Sequence, residues 1–481
     1  LEVPKEEGGH FHDYFCPVHN LQFTFRWDKP LAQYCSACDK EWIGNNRYDW
    51  AWIYEVHMLN RDYMYQCMYL YLATGKRQYA DYIRTMLLDY AGKYAGWFEH
   101  NSGRKATDQH SGKAFAQSLD EANWATKVAM AYMAIKPVLS KEEVKAIEEG
   151  YLQPAATLLL HRPAGANWQM WHNSGLAALG IALENDSIVD VAINKDKYGY
   201  HYLIGKHKNS DGWINEGSPH YHYYPLEALL FTANAVKCRG IKLFDKDLHD
   251  MFVEPVKGTY PDLSFPAHSD GWYGANLLSQ SALYEVGNAR YNDPFLKRVL
   301  ELTYAQKKRL DPEALLSNQL IKASEESLLQ KSYSFDTSGF CLLRSDTRTV
   351  VLKFGGEGIG HGHPDKLSIT IHDGKNELVS DFGTSGYGVP DYLKWYKRTL
   401  SHNTVTVDAK DQKRSVGKLL KFNPRSDGGY AEAETTTAYP GVRMKRSLDL
   451  KGTHLQDVYT CTSDSSHSVS YTHLTLPTIR L

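Results

Sequence analysis

From Tyr48 to about Leu310, apolar residues recur at spacings of three and four, in blocks divided by short Gly, Pro and Asn breaks. That period predicts helices packed through one face. The blocks include Trp50 to Leu72 (ending at Gly75), Tyr79 to Tyr94, Phe115 to Ile135, Trp168 to Leu183, Tyr224 to Val236 and Gln280 to Val286. Paired helices with short turns and no strand signal between them point to an α/α array or toroid, not to an α/β sheet. No fixed-period repeat of the common solenoid type is present. Near Ser332 the texture changes to short β-rich runs: Ser334 to Leu343, Thr349 to Phe354, Leu367 to His372, Glu377 to Asp381 and Thr404 to Asp408. Asp373-Gly374 between two of them is a hairpin signal. The expected organisation is therefore a polar N-terminal segment (1–45), a helical domain (46–315) and a β-sandwich (316–468), with 311–331 as the linker region. The run from Val469 to Thr478 breaks from the preceding text and reads as one frame of a sequencing-transposon adaptor, so 469–481 is set aside as an adaptor artefact and the β-domain is expected to be incomplete.

Composition narrows the class. The 481 residues carry 54 Lys+Arg against 56 Asp+Glu, a formal charge of −2, which excludes a generally basic nucleic-acid binder and leaves only local basic patches for an anionic partner. With 42% hydrophobic and 23% charged residues the composition is that of a globular protein, and no stretch of about 18 apolar residues predicts a membrane span. The chain opens at Leu1 without a recognisable signal segment, so export is left open.

Four constellations carry candidate chemistry. Cys16-Pro-Val-His19 followed by Cys35-Ser-Ala-Cys38 has the two-pair spacing of a closed tetrahedral zinc site, the staple such a short polar segment needs in order to fold; incidental cysteines, or one disulfide plus a thiol, are the alternative. Gly165-Ala-Asn167-Trp-Gln-Met-Trp-His172-Asn173 opens an apolar helix, where polar side chains and free amides could hold a carboxylate, or Asn167 could simply cap the helix. Asp211-Gly-Trp-Ile-Asn-Glu216-Gly-Ser218-Pro-His220-Tyr221-His222-Tyr223-Tyr224 crowds phenols and imidazoles at another helix entrance, a composition suited to sugar rings. Finally, a Gly-rich loop with His361-Gly-His363, then Asp381, then Tyr396-Lys397-Arg398 and His402, has the make-up of a His/Asp metal site. Histidines used only in sheet packing are the plainer reading, and on a strand His361 and His363 would face opposite ways.

Taken in order, the NW…WHN helix start, the EGSPHYHYYPL segment, FPAHSDG (Phe265 to Gly271) and the GHGHPDKLS…SDFGT…YKRTLSHNTV stretch resemble the heparinase II/III-like polysaccharide lyases, closest to the exo-acting alginate and heparin oligo-uronide lyases. The resemblance covers Cys16 to Asp408. It implies a multidomain α + β fold, an incomplete (α/α) toroid followed by an antiparallel β-sandwich, with the substrate cleft between them. It implies β-elimination: a proton leaves C5 of a uronate, the C4–O bond breaks, and a 4,5-unsaturated uronate results. Asn167 matches the residue that neutralises the uronate carboxylate, Tyr221 the catalytic tyrosine and His361 the catalytic histidine; His363, Asp381 and His402 match a β-domain metal site. An unperturbed phenol titrates near 10, so Tyr221 needs polar or cationic neighbours, for which His220, His222 and Arg398 are candidates. Gln117, His172, His220, His222, Tyr224, Tyr396 and Arg398 are the expected substrate contacts.

The cofactor expectation is structural Zn2+ on Cys16, His19, Cys35 and Cys38, with a second metal in the β-domain. The expected partner is an acidic poly- or oligosaccharide, with no nucleic acid and no membrane, in a periplasmic, secreted or cytoplasmic bacterial setting. Two other readings compete: a glycoside hydrolase using Glu216 with Asp270 or Glu121, and a non-catalytic glycan-binding protein. The uronan cleaved, exo or endo action, the stereochemistry of elimination and the oligomeric state are not legible at this level.

Overall fold

The structure is a computed structural model that describes residues 2–105, 110–317, 319–324, 328, 331–356 and 360–472. Residues 357–359 of the Gly-rich loop and the stretch 473–481 of the adaptor-like tail lie outside the described residues. Helices fill the first part: α1 (Asn46–Thr74), α2 (Arg77–Tyr94), α3 (Ser118–Ile135), α4 (Lys141–Ile147), α5 (Gln153–Leu160), α6 (Ala166–Ala182), α7 (Asp186–Asn194), α8 (Tyr200–His207), α9 (His220–Val236), α10 (Lys246–Val253), α11 (Ser281–Tyr291) and α12 (Pro294–Gln306). Strands β1 (Ala32–Cys35) and β2 (Lys40–Ile43) precede them. After them come β3 (Tyr333–Phe335), β4 (Phe340–Arg344), β5 (Thr349–Lys353), β6 (Ser368–His372), β7 (Glu377–Val379), β8 (Val405–Val407), β9 (Lys418–Arg425), β10 (Gly428–Tyr439), β11 (Val442–Lys451), β12 (His454–Ser463) and β13 (Val469–Tyr471). The expected sequence of a helical region and an antiparallel β-domain is what the chain forms.

Two compact units divide the chain. The first comprises residues 1–206, 225–245 and 387–389. Its helix ends follow local chemistry: the Asn45 side chain accepts from the Arg47 amide at the start of α1, and Gly75, in the left-handed region at φ 66°, closes it. Helices α3 and α6 meet at small residues, where a Cβ on Gly175 would stand 3.2 Å from the Ala122 carbonyl oxygen, and Thr126 and Ser174 share a hydrogen bond there. Ahead of α1, residues 1–45 form a short helical turn and the β1–β2 hairpin, and Tyr14, Cys16, Phe23 and Cys35 bury against Ala51 of α1.

The second unit comprises residues 207–224, 246–386 and 390–481. Its main sheet runs β12-β11-β10-β4-β5-β6-β7, with β3 also on β4, and the strand pairs in it are antiparallel. All residues of β4 and β5 are buried, as central strands covered on both faces require, whereas β11 alternates buried with more open positions. The run Ser334 to Leu343 is two strands and not one. Gly339, at φ +82°, turns the chain between Phe335 and Phe340, and this tight β3–β4 hairpin hides inside a continuous β-rich run. Residues Val469–Tyr471 pair with β8, Val469 opposite Val407.

Candidate functional site

The richest cluster lies wholly within the second unit. Ser218 and Pro219 start α9: the Ser218 hydroxyl accepts from the Tyr221 amide (3.3 Å), and proline fits the first turn because its missing N–H would have no helical partner. This start fixes Tyr221, whose ring lies against that of His361 with centroids 3.5 Å apart and planes 13° from parallel. His361 Nδ1 is 2.9 Å from Asp270 Oδ2, and His363 Nε2 is 2.8 Å from Asp270 Oδ1. The Tyr392 hydroxyl donates to the same carboxylate (3.0 Å), and the Lys397 ammonium donates to the Tyr392 oxygen and to the Gly360 carbonyl, both at 2.9 Å.

A carboxylate facing Nδ1 of His361 fixes the tautomer with the proton there. The other ring nitrogen, Nε2, is 3.8 Å from Glu216 Oε2, too far for a hydrogen bond. Burial alone would raise the Asp270 carboxyl, but the hydrogen bonds from His361 and His363 hold it well below the usual carboxylate range. Burial and the adjacent Asp270 charge push the Tyr392 phenol far up, so it stays a donor. His220 stands edge-on to Tyr221 (5.0 Å) and nearly parallel to Tyr224 (6.2 Å); burial, then the neighbouring His361, lowers its imidazole to about 4.

Not every residue expected here presents a free group. His222 is fully buried, with Nδ1 accepting from the Ile214 amide (3.2 Å) and Nε2 donating to the Met251 carbonyl (2.8 Å), so both nitrogens are committed to the backbone. Arg398 is ion-paired with Asp411, and Tyr396 is half-buried with its carbonyl accepting from Ser401. Sequence reasoning placed Asp270 in the FPAHSDG stretch and named it as a candidate for hydrolysis, quoted Lys397 without a role, and missed Tyr392. The signals available were the Ser269-Asp270-Gly271 turn, with Ser269 at φ +57°, and a Lys five residues after a Tyr.

Behind His361 the same unit holds a second buried group. His402 Nδ1 is 2.9 Å from Asp381 Oδ2, and the other Asp381 oxygen accepts from the Gly383 amide (3.0 Å). Burial opposes a charge on His402, but the Asp381 carboxylate outweighs it and raises the imidazole; His363 is lowered, chiefly by burial. His363 Nδ1 and His402 Nε2 are buried with no hydrogen-bond partner among the described residues, and the two rings are 5.2 Å apart. Two imidazoles, each oriented by a carboxylate and each keeping one bare nitrogen, fit a metal site. Asp381, expected as a ligand, stands behind His402 as its orienting acceptor. Next to this group Asp365 is bonded by both Lys353 and Lys366, and Lys353 also donates to Ser269.

The first unit holds the remaining candidates. Asn167 is buried in the first turn of α6, and fully buried His172 follows on the same helix, its imidazole lowered to about 4 by burial. Gln117 precedes α3 and donates to Asp120 (2.7 Å). Glu121 is fully buried and accepts from the Tyr94 hydroxyl (2.6 Å) and from the Lys113 and Ala114 amides (both 2.9 Å). Glu121 and Asp270, the two acids expected to partner Glu216 in hydrolysis, are thus both bonded by protein donors.

The ribbon cysteines do converge. Among the described residues, Cys16, His19, Cys35 and Cys38 form the one group whose ligand atoms all lie within 4.8 Å of one another. The Cys16–Cys38 sulfurs and the His19 Nδ1 contacts to Cys16 and Cys35 are each 3.9 Å. Zinc–sulfur bonds of about 2.3 Å in a tetrahedron give sulfur–sulfur edges of about 3.8 Å, so the cage fits a metal ion.

Residues 56–253 match the family described as Alginate lyase, and residues 328–479 match Heparinase II/III-like, C-terminal. The chain is 30% identical over 444 residues to an alginate lyase of Stenotrophomonas maltophilia, covering 82% of this chain and 58% of that protein. It is 26% identical over 451 residues to an exo-oligoalginate lyase of Saccharophagus degradans, covering 83% of this chain and 59% of that one. The chain thus spans less than two thirds of the length of these relatives. Among solved structures, a heparinase III superposes with a TM-score of 0.61 at 17% identity, over 95% of this chain and 73% of that one.

Proposed function

From a chain that belongs to the heparinase II/III-like lyases, with an alginate lyase domain and a heparinase II/III-like C-terminal domain, we propose a lyase that cleaves uronate-containing glycans by β-elimination, acting from chain ends. The observation that carries this reading is the Tyr221–His361 stack with Asp270 on His361 Nδ1. An imidazole oriented by a carboxylate and a phenol share one locale, and the acids expected to partner Glu216 in hydrolysis are bonded to protein donors. The two relatives described above, which match over the longest stretches, bear alginate lyase names, while two others bear heparin-sulfate lyase names, and that favours an alginate-type polyuronate as substrate.

In the proposed reaction His361 Nε2 takes the proton from C5. The C5–H electron pair becomes the C4=C5 double bond, and the C4–O bond breaks. Its oxygen leaves with the bonding pair and is protonated by the Tyr221 hydroxyl. General acid–base groups of this kind contribute about 10²–10⁴-fold each. Removing C5–H beside an ionised carboxylate stacks a second negative charge on the first, so a donor to that carboxylate stabilises the enolate-like transition state. Asn167 is assigned this donor role on its match to the family motif and its position in the first turn of α6. We assign structural Zn2+ to the Cys16/His19/Cys35/Cys38 cage. A second metal, held by His363 and His402, would lend positive charge that orders the loop bearing His361; the proton transfers themselves belong to the side chains.

Ultraviolet absorbance of an unsaturated product, followed with a panel of polyuronates and their oligosaccharides, tests the reading. Activity is expected with at least one uronan, falling at least about 10²-fold in Tyr221→Phe and in His361→Ala with folding retained. New reducing ends without that absorbance would mean hydrolysis, and full activity in both variants would refute the mechanism.

A further inference from the structure

We propose that the β-domain carries a subsite for an acidic group of a bound glycan, in the cationic pocket formed by Lys397, Lys413, Arg414 and Ser415 beside His361; the identity of its ligand rests on the lyase reading. The pocket holds about 330 Å3 and lies within the second unit. Gly360 and Gly362, the residues on either side of His361, form one wall, and the 412–415 segment forms the other. A group bound here is therefore next to the residue being cleaved.

The walls are built, not merely charged. Lys397 spends two of its three ammonium donors on Gly360 and Tyr392, which pins it at the pocket and leaves a third N–H to give. Lys413 and Arg414 are exposed side chains on a backbone anchored by the Lys413 amide to the Ala438 carbonyl (2.8 Å). Ser415, only 5% exposed, has a hydroxyl with no hydrogen-bond partner among the described residues. A buried orphan hydroxyl is costly unless something supplies its bond. Asp365 and Asp411, the neighbouring acids, are already bonded, the first by Lys353 and Lys366 and the second by Arg398, and leave the pocket cationic. A pinned Lys397 ammonium and the buried Ser415 hydroxyl, lining one space with Lys413 and Arg414, suit an oxyanion through charge-assisted hydrogen bonds. On a glycan that oxyanion is a uronate carboxylate or a sulfate ester.

Steady-state kinetics of Lys413→Ala/Arg414→Ala and of Ser415→Ala, against wild type, would use two series: oligouronates with carboxylates only, and sulfated uronate oligosaccharides. On one series KM is expected to rise about tenfold in the double variant, equivalent to ~1.4 kcal/mol, while kcat stays within about twofold. The difference should shrink as salt approaches about 0.5 M, because screening weakens exposed charges. The series that responds identifies carboxylate or sulfate. Unchanged KM on both series overturns the subsite, as does an equal rise in Lys451→Ala, an exposed lysine at the end of β11 that lines no part of the pocket. Turnover of neither series by the wild type would instead sink the lyase reading. The pocket is then judged by calorimetric titration with the same oligosaccharides: weaker binding by the double variant upholds it, and equal binding, or none by the wild type, overturns it.

Discussion

Asp270 accepts three hydrogen bonds on two oxygens, from His361, His363 and Tyr392. Only a carboxylate can do this. In Asp270→Asn the amide offers one oxygen and an NH2, so at least one of the two imidazole N–H groups must face a donor and its ring must change tautomer or turn. We expect kcat to fall about 10²-fold or more with a smaller change in KM, since the lost element is the orientation of His361 and not substrate contact. A KM rise at constant kcat would show that Asp270 contacts substrate instead. This residue also marks the limit of what the sequence made legible. Tyr221 and His361 were identified through motif text, and the structure stacks them. Asp270 lies in the FPAHSDG stretch, 91 positions from His361, and that text does not show which residue its carboxylate holds. His222 erred the other way: it stood in the densest motif, but its burial and its two backbone partners come from packing that no local spacing reveals.

Among the elements, the helices were legible because amphipathic periods and Gly or Asn punctuation are local properties, as the Asn45 and Gly75 ends of α1 show. Strands β9 to β12 were not picked out individually. In β10 the buried positions are mostly small, Gly428, Gly429, Ala431, Ala433 and Ala438, with Glu between the first alanines, too weakly apolar to announce a strand before the sheet assembles. The β3–β4 hairpin hangs on one glycine. A Cβ on Gly339 would lie 2.1 Å from the Gly355 backbone, in addition to the cost of a side chain at φ +82°. Gly339→Ala should therefore cost ~2 kcal/mol or more, read as a lower denaturant midpoint with an unchanged slope. The ribbon has a different dependence. Its core around Cys16 and Cys35 is small, and the hairpin turn exists to bring Cys35 and Cys38 to the cage. Chelation, or Cys35→Ser, should release about one zinc per chain and expose the 1–45 segment to proteolysis while far-ultraviolet dichroism stays nearly constant. A zinc-free chain with equal resistance to protease would contradict that dependence.

Across the whole molecule, the pH dependence of stability follows from side chains whose ordinary pKa values are moved by burial. Burial lowers His57 and His268 to about 3, and His12, His172, His220 and His222 to about 4. In the unfolded chain each binds a proton near 6.5, but the folded protein resists it until much lower pH. Between pH 6.5 and 4 the unfolded state therefore holds more protons, and stability falls on acidification. Two carboxyls act in the opposite sense: burial raises Glu55 and Glu377 to about 7, so folding favours their protonation, and their contribution is largest at low pH and lost as pH rises through 7. Asp120 and Glu121, also raised by burial, add to that side near their own lower range. Six histidines against two glutamates leave a net of about three to four protons between pH 5 and 6. At ~1.4 kcal/mol per proton per pH unit, unfolding free energy should drop by about 4–5 kcal/mol per unit there. Above pH 7 the unfolded histidines lose their protons while the glutamates lose their contribution, so the two effects approach balance and stability should level off between pH 7 and 8. Urea midpoints measured from pH 8 to 5 would show that plateau and the fall below it. His222→Gln should flatten the acid limb, since it removes one of the six contributing imidazoles, and a midpoint that rose steadily toward pH 5 would mean that the buried carboxyls outweigh the histidines.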